Sequence, residues 1–255
     1  MTKRFVLAQI SDTHIRSETR DDGFDPAADL TRAFAQIASY GVDAIIATGD
    51  LANDARPAEY AQFADLVADA PAPLFLVAGN HDSANLIRHT FPRHGYLPPE
   101  GPLSYVIDDY PVRLVGIDQT VSSETYGDFT QAHAAWLEAE LAAAPAKPTI
   151  IALHHPPMRT HDVLLDTIAL KHAERFEGVI RRHAQVGLII CGHHHRPVIG
   201  RVAHAPAIVC PSTAWTFTLA FKPGDPLAKR EAAMKGWALH IWDHEAGFAS
   251  HFIGL

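Results

Sequence analysis

The sequence predicts an α/β fold, and three observations carry that expectation. Apolar runs at Phe5 to Ile10, Val42 to Thr48 and Pro73 to Ala78 alternate with helical segments, the pattern of βαβ units. Hydrophobic residues make up 47% and charged residues 20% of the 255, which suits one globular core and argues against disorder. After Arg196 the texture changes to short strands without long helices between them, which predicts an antiparallel second sheet. A single domain over residues 1–255 is the simplest organisation.

The elements follow in order. Phe5 to Ile10 reads as a buried strand. Pro26 opens a helix to Tyr40, because proline fixes a helical φ where no amide partner is needed. Val42 to Thr48 is the second strand, and Pro57 to Ala68 is a second helix, again opened by proline. Pro73 to Ala78 and a short helix over Ser83 to Phe91 complete the first half. Leu103 to Asp108 and Val112 to Ile117 read as a hairpin turning at Asp109-Tyr110-Pro111. Thr130 caps a helix to Ala143. Thr149 to Leu153 and Val186 to Cys191 are buried strands, with a helix over Leu170 to His183 between them. Short strands at Val198 to Val202, Ala207 to Cys210, Gly236 to Trp242 and Phe248 to Ile253 finish the chain. Pro92 to Pro102 and Lys222 to Lys235 read as loops.

Composition removes several function classes. The formal net charge is −8 and no Lys/Arg-rich run stands out, so a grip on long nucleic acid is not expected. No apolar run reaches membrane-spanning length, and the N-terminal one is too short for a signal-peptide core, so a cytoplasmic location is expected. Cys191 and Cys210 sit inside apolar runs and read as buried thiols.

Seventeen histidines are unusual, and several fall where strands end. Ile10 is followed by Ser-Asp-Thr-His14, Thr48 by Gly-Asp50, and Ala78 by Gly-Asn80-His81-Asp82. Leu153 is followed by His154-His155, and Cys191 by Gly-His193-His-His195. In open α/β folds ligands bind beyond the carboxyl ends of strands, so these loops converge on one edge. Carboxylates, an amide oxygen and imidazoles suit Mn²⁺, Fe or Zn²⁺, and the thiolates of a structural zinc site are missing. Asp-x-His and His-x-His put two candidate ligands on one side of a tight loop. Gly49, Gly79 and Gly192 each precede a candidate ligand and let the backbone come close to an ion.

These motifs resemble the calcineurin-like metallophosphoesterase superfamily: Asp12-x-His14, Gly49-Asp50, Gly79-Asn80-His81-Asp82, His154 and Gly192-His193-x-His195, in that order. Ile10-Ser-Asp-Thr-His14, Gly49-Asp-Leu-Ala-Asn53, Arg56-Pro-x-Glu59-Tyr60 and His154-His-Pro-Pro157 resemble most closely the bacterial class III cyclic-nucleotide phosphodiesterases and glycerophosphodiesterases. After about Pro211 no motif matches. The resemblance implies a four-layer α/β/β/α sandwich of two mixed sheets flanked by helices. It implies two metal ions, one held by Asp12, His14, Asp50 and His195 and the other by Asp50, Asn80, His154 and His193, with Asp50 bridging. Mn, Fe and Zn fit this set, and Co is also accommodated.

The implied reaction is hydrolysis of a small phosphodiester, a cyclic nucleotide such as cyclic AMP or a glycerophosphodiester, by in-line attack of a metal-bound hydroxide. His81 is the candidate proton donor to the leaving oxygen, with Asp82 orienting it. Asn53 and His155 are the candidate substrate contacts, and His194 should point away from the centre. Trp215 and Phe217 read as core or interface residues, with stacking on a nucleobase as the alternative, and a dimer or larger assembly is expected from the resemblance. A phosphomonoesterase or a nuclease of the same superfamily are the alternative readings. A non-catalytic scaffold is disfavoured because every ligand position is filled.

Overall fold

The computed structural model describes residues 4–225 and 229–255. In chain order its elements are β1 (Arg4–Ile10), α1 (Pro26–Ala38), β2 (Ala44–Thr48), α2 (Pro57–Val67), β3 (Leu74–Val77), α3 (Ala84–Thr90), β4 (Tyr105–Ile107), β5 (Arg113–Ile117), β6 (Gly127–Asp128) and α4 (Gln131–Ala143). Then come β7 (Thr149–Leu153), a 3-10 turn (Leu165–Ile168), β8 (Leu170–Lys171), α5 (Ala173–Ile180), β9 (Val186–Cys191), β10 (Val198–Val202) and β11 (Ala205–Val209). The chain closes with β12 (Thr216–Phe217), β13 (Arg230–Glu231), β14 (Gly236–Asp243) and β15 (Gly247–Gly254).

One sheet has the order β15-β14-β1-β2-β3 and the other β10-β11-β9-β7-β5-β4. Strands β1, β2 and β3 run parallel, as do β5, β7, β9 and β11, so their carboxyl ends share an edge. Alternation of side chains sorts each sheet's two faces. Phe5 and Leu7 face the second sheet, packing in the layer that holds Ile46, Val77, Leu114, Ile150 and Ile190. Val6, Ala8 and Ile10 face the other way, toward Leu30, Ile37, Phe63 and Ile87 of the outer helices. On the far side, Leu137, Leu141, Phe176 and Val179 of α4 and α5 cover Val115, Ile151 and Ile189. The three apolar layers make the four-layer α/β/β/α sandwich. Each fully buried aliphatic or Phe side chain in them contributes about 1.5–3 kcal/mol of transfer free energy.

Local signals behave as their chemistry requires. The Asp25 carboxylate accepts from the Ala28 amide at the start of α1, with Pro26 in the first turn. The Thr130 hydroxyl accepts from the His133 amide at the start of α4.

Three expectations need correction. The four strands expected after Arg196 do not form a sheet of their own; among the described residues there, only the short β12 and β13 pair apart from the two main sheets. β10 and β11 extend the second sheet, while β14 and β15 join the first, with Val6 opposite Ile241. The helix expected from Leu170 begins only at Ala173. Leu170 and Lys171 pair with β6, and His172 takes a left-handed φ of 56° with its ring 2.6 Å from Asp128. The loop expected over Lys222 to Lys235 contains β13, while residues 226–228 lie outside the described residues. Among the described residues no helix is long and apolar enough to cross a membrane.

Candidate metal centre

The strand ends converge as the parallel topology demands. Asp12 and His14 follow β1, Asp50 follows β2, Asn80 follows β3, His154 follows β7, and His193 and His195 follow β9. Ligand atoms of Asp12, His14, Asp50 and His195 lie within 4.8 Å of one another, and so do those of His154, His155 and His193. Asp50 joins the two groups. Its Oδ2 is 3.5 Å from His14 Nε2, and its Oδ1 is 3.4 Å from His154 Nε2. Asn80 Oδ1 is 3.2 Å from His154 Nε2.

The loops hold these groups by strained backbone and close approach. Asp12, His14, Asp50, His193 and His195 all have positive φ, between 42° and 71°. Left-handed backbone costs a non-glycine residue roughly 1–2 kcal/mol, and such strain concentrates where geometry is functional. The neighbouring glycines are required by space. A Cβ on Gly192 would stand 2.0 Å from Ser11 Oγ, and one on Gly79 2.2 Å from Asp50 Oδ1.

Hydrogen bonds fix which nitrogen each ring presents. His154 Nδ1 donates to the Thr48 carbonyl (2.8 Å), His195 Nδ1 to the Trp215 carbonyl (2.9 Å) and His193 Nε2 to the Ile168 carbonyl (3.0 Å). Their other nitrogens are the ones left to face an ion, the orientation typical of ligating histidines. Asp12 accepts the His193 amide, tying the first loop to the last.

Burial and charge prepare the set for a cation. Burial pushes His14 and His193 well below the ordinary imidazole range and His195 to about 3, so all three are neutral ligands near pH 7. Burial raises the Asp12 carboxyl to about 7, opposed by His154 and reinforced by Asp50. Burial also acts against Asp50, yet His154 and His14 hold it well below the usual carboxylate range. Burial lowers His154, but Asp50 and Asp12 carry it up to about 9. The protein groups alone therefore gather positive charge at His154 to balance two buried carboxylates, a balance that bound divalent cations supply more strongly. Oxygen and imidazole donors converging in this way fit two ions bridged by Asp50.

The remaining candidates divide. His81 is exposed beside the candidate ligands, edge-on to His14, and its Nδ1 donates to the Asn53 carbonyl at 2.7 Å. The expected Asp82–His81 pair is corrected: Asp82 accepts the amides of Leu51, Ala52 and Gly79 and the Tyr60 hydroxyl. That carboxylate closes the loop around Asp50. Asn53 is buried with its amide donating to Asp54. His155, expected at the substrate, is instead wholly buried between the Gln119 side chain (2.8 Å) and the Thr125 carbonyl (3.1 Å). His194 is buried beside His193, and its two ring nitrogens are without a hydrogen-bond partner among the described residues.

Sequence reasoning passed over Gln119, although it follows strand β5 as the candidate ligands follow theirs. It also passed over Ser212. The Ser212 hydroxyl donates to the Asp12 carbonyl (2.7 Å) and accepts the amides of Ala214 and Trp215. Trp215 itself is buried rather than part of an exposed aromatic surface. Among the described residues of that segment, the exposed large apolar side chains are Leu219, Phe221 and Met234.

Comparison with known proteins agrees with this geometry. The family model described as Calcineurin-like phosphoesterase matches residues 5–197. The glycerophosphodiester phosphodiesterase GpdQ of Enterobacter lignolyticus is 33% identical over 219 residues, covering 82% of this chain and 77% of that protein. The 3′,5′-cyclic adenosine monophosphate phosphodiesterase CpdA of Vibrio vulnificus is 29% identical over 237 residues, covering 91% and 83%. A dimetal phosphatase from Danio rerio shares the fold with a TM-score of 0.69 at 16% identity, over 96% of this chain and 98% of that one.

Proposed function

The chain belongs to the calcineurin-like phosphoesterase family, and from that premise we propose that it is a dinuclear-metal phosphodiesterase acting on a small phosphodiester. Cyclic AMP or another cyclic nucleotide and a glycerophosphodiester are the substrate classes, since the similar curated proteins carry those names. The observation that carries the reading is the placement of Asp50, whose two carboxylate oxygens face His14 and His154 separately. One ion would be held by Asp12, His14, Asp50 and His195, and the other by Asp50, Asn80, His154 and His193. Mn²⁺, Fe and Zn²⁺ suit these donors.

When bound, such a pair of ions activates water for in-line attack at phosphorus and offsets charge on the phosphoryl oxygens. The chain's own part is orientation and proton delivery. Most candidate ligands are buried, while Asn80 is half-buried and His81 exposed, so the ester approaches from their side. With the His81 Nδ1 hydrogen donated to the Asn53 carbonyl, Nε2 faces the leaving oxygen, and the ring delivers a proton there from its imidazolium form, ending as the neutral Nδ1–H tautomer. Asn53 fixes that ring and contacts the substrate from the same loop. The reading places the enzyme in the cytoplasm, where the free buried thiols Cys191 and Cys210 stay reduced. Fractionation of cells checks that placement, and recovery outside the cytoplasm would refute it.

The test compares bis(p-nitrophenyl) phosphate with p-nitrophenyl phosphate, using metal-stripped protein given back Mn²⁺, with Asn80→Ala beside the wild type. Turnover that favours the diester and collapses in the variant supports the proposal, and cyclic AMP and glycerophosphoethanolamine then separate the substrate classes. Preference for the monoester would make the protein a phosphatase.

A further inference from the structure

We infer that Trp215 and Asp22 are positioning residues for His14, and through it for the half of the centre built from Asp12, His14 and His195. The inference rests on the dinuclear reading above and adds to it what holds one half in place.

His14 differs from the other imidazoles of the centre. His154, His193 and His195 are each oriented by a hydrogen bond to a backbone carbonyl. The His14 Nδ1 is buried and has no hydrogen-bond partner among the described residues. A ligating imidazole ordinarily takes its orientation from a partner on its second nitrogen. His14 lacks that partner and sits on left-handed backbone, with a φ of 42°. What it has instead is a flat surface. The Trp215 ring stacks on it with centroids 4.6 Å apart and planes inclined by 28°.

Trp215 is placed to serve the whole half-site. Its carbonyl accepts His195 Nδ1, and its amide is held by Ser212, whose hydroxyl donates to the Asp12 carbonyl. The stretch from Ser212 to Trp215 thus touches Asp12, His14 and His195.

Two guanidinium groups hold the Trp215 ring. Arg16 Cζ lies 4.8 Å and Arg230 Cζ 4.2 Å from its centroid. Arg16 is buried, and its Nε and Nη2 have no acceptor among the described residues, so the π-face is what they meet. Asp22 ties the two arginines together, at 2.9 Å from Arg16 Nη1 and 3.5 Å from Arg230 Nη1. Phe24 closes on the ring edge-on at 5.9 Å. The acidic loop after the first ligand motif and the segment after Pro211 are in this way clamped across one indole. Removing the ring would take away the only stacked partner of His14 among the described residues, with Nδ1 still unpartnered and only the tilted His195 and edge-on His81 rings left beside it. Removing the Asp22 charge would take away the carboxylate that pairs with both arginines and loosen their hold on the indole.

The test is titration of metal-stripped protein with Co²⁺, followed by its visible absorption and by equilibrium dialysis, for wild type, Trp215→Leu, Trp215→Phe and Asp22→Asn. Near-ultraviolet circular dichroism reports whether each variant is folded. Trp215→Leu should weaken one of two Co²⁺ equivalents roughly 10- to 100-fold and leave the other at wild-type affinity. Trp215→Phe keeps an aromatic surface and should recover most of that loss. Asp22→Asn, at a partly exposed position, should weaken the same equivalent about 2- to 5-fold. If Trp215→Leu does not fold, Asp22→Asn decides. Folded variants that bind both equivalents as tightly as wild type, or that weaken both alike, overturn the inference. A wild type that binds fewer than two equivalents overturns the dinuclear reading instead.

Discussion

His195 Nε2 lies 3.4 Å from Asp12 Oδ1, and once Asp12 ionises, above about pH 7, neither atom has a hydrogen to offer the other. The ring hydrogen is committed to the Trp215 carbonyl, and burial holds the imidazole neutral to about pH 3. Two acceptors pressed together in a buried site are costly unless a cation lies between them. Metal binding should therefore stabilise the fold. Addition of Mn²⁺ to stripped protein should raise stability by about 3–4 kcal/mol at 100–1,000 times the dissociation constant, read as a rise in Tm. Asp50→Ala removes the bridging group and should abolish most of that rise. An equal metal-induced shift in Asp50→Ala would contradict the bridging role.

His81 is exposed, and the function proposed above gives it a proton to deliver rather than an ion to hold. His81→Ala should bind metal as wild type does while kcat falls roughly 10²- to 10⁴-fold on an ester with a poor leaving group. The loss should be much smaller for a p-nitrophenyl ester, whose leaving group needs no proton. Equal losses on both would assign His81 to charge stabilisation rather than proton delivery.

Gly192 has no room for a side chain. An alanine Cβ there would meet Ser11 Oγ at 2.0 Å, Asp12 Oδ2 at 2.7 Å and the Thr48 carbonyl at 3.0 Å. Gly192→Ala should destabilise the apoprotein by about 1–3 kcal/mol and weaken metal binding, because Asp12 must move. Denaturant unfolding and dialysis against Mn²⁺ check the two parts separately.

His240 provides a pH dependence away from the metal centre. It is buried between Ser250 Oγ (2.7 Å) and Gln9 Oε1 (2.9 Å), and burial lowers it from 6.5 to about 3. Between those pH values the unfolded chain binds a proton that the folded chain refuses. The contribution is fully present above pH 6.5 and lost as pH falls toward 3, by at most about 1.4 kcal/mol per pH unit. His240→Gln should flatten that part of the acid limb of a Tm–pH curve measured without metal. An unchanged slope would show that other groups dominate acid unfolding.

The clustering of the candidate ligands was legible because each follows an apolar run that ends in a polar loop, and parallel strands bring such ends together. Asp12, Asp50 and His154 needed only local pattern and a rule of topology. The pairing of β14 with β1 was not legible, since Phe5 meets Trp242 across most of the chain and no local signal records it. The short start of α5 depends on His172 and Asp128 meeting through space. The roles of His155 and Trp215 were hidden for the same reason. A residue type states what a side chain is able to do, but Gln119, Thr125 and His14 decide what these two touch.

The most direct test of the central claim is turnover of bis(p-nitrophenyl) phosphate as metal-stripped protein is titrated with Mn²⁺, with bound metal counted in parallel. A two-ion centre bridged by Asp50 predicts no turnover without metal and full turnover only as the second equivalent binds. Asp50→Ala should stay inactive at every ratio. Full turnover at one equivalent, or undiminished turnover in stripped protein, would contradict the account.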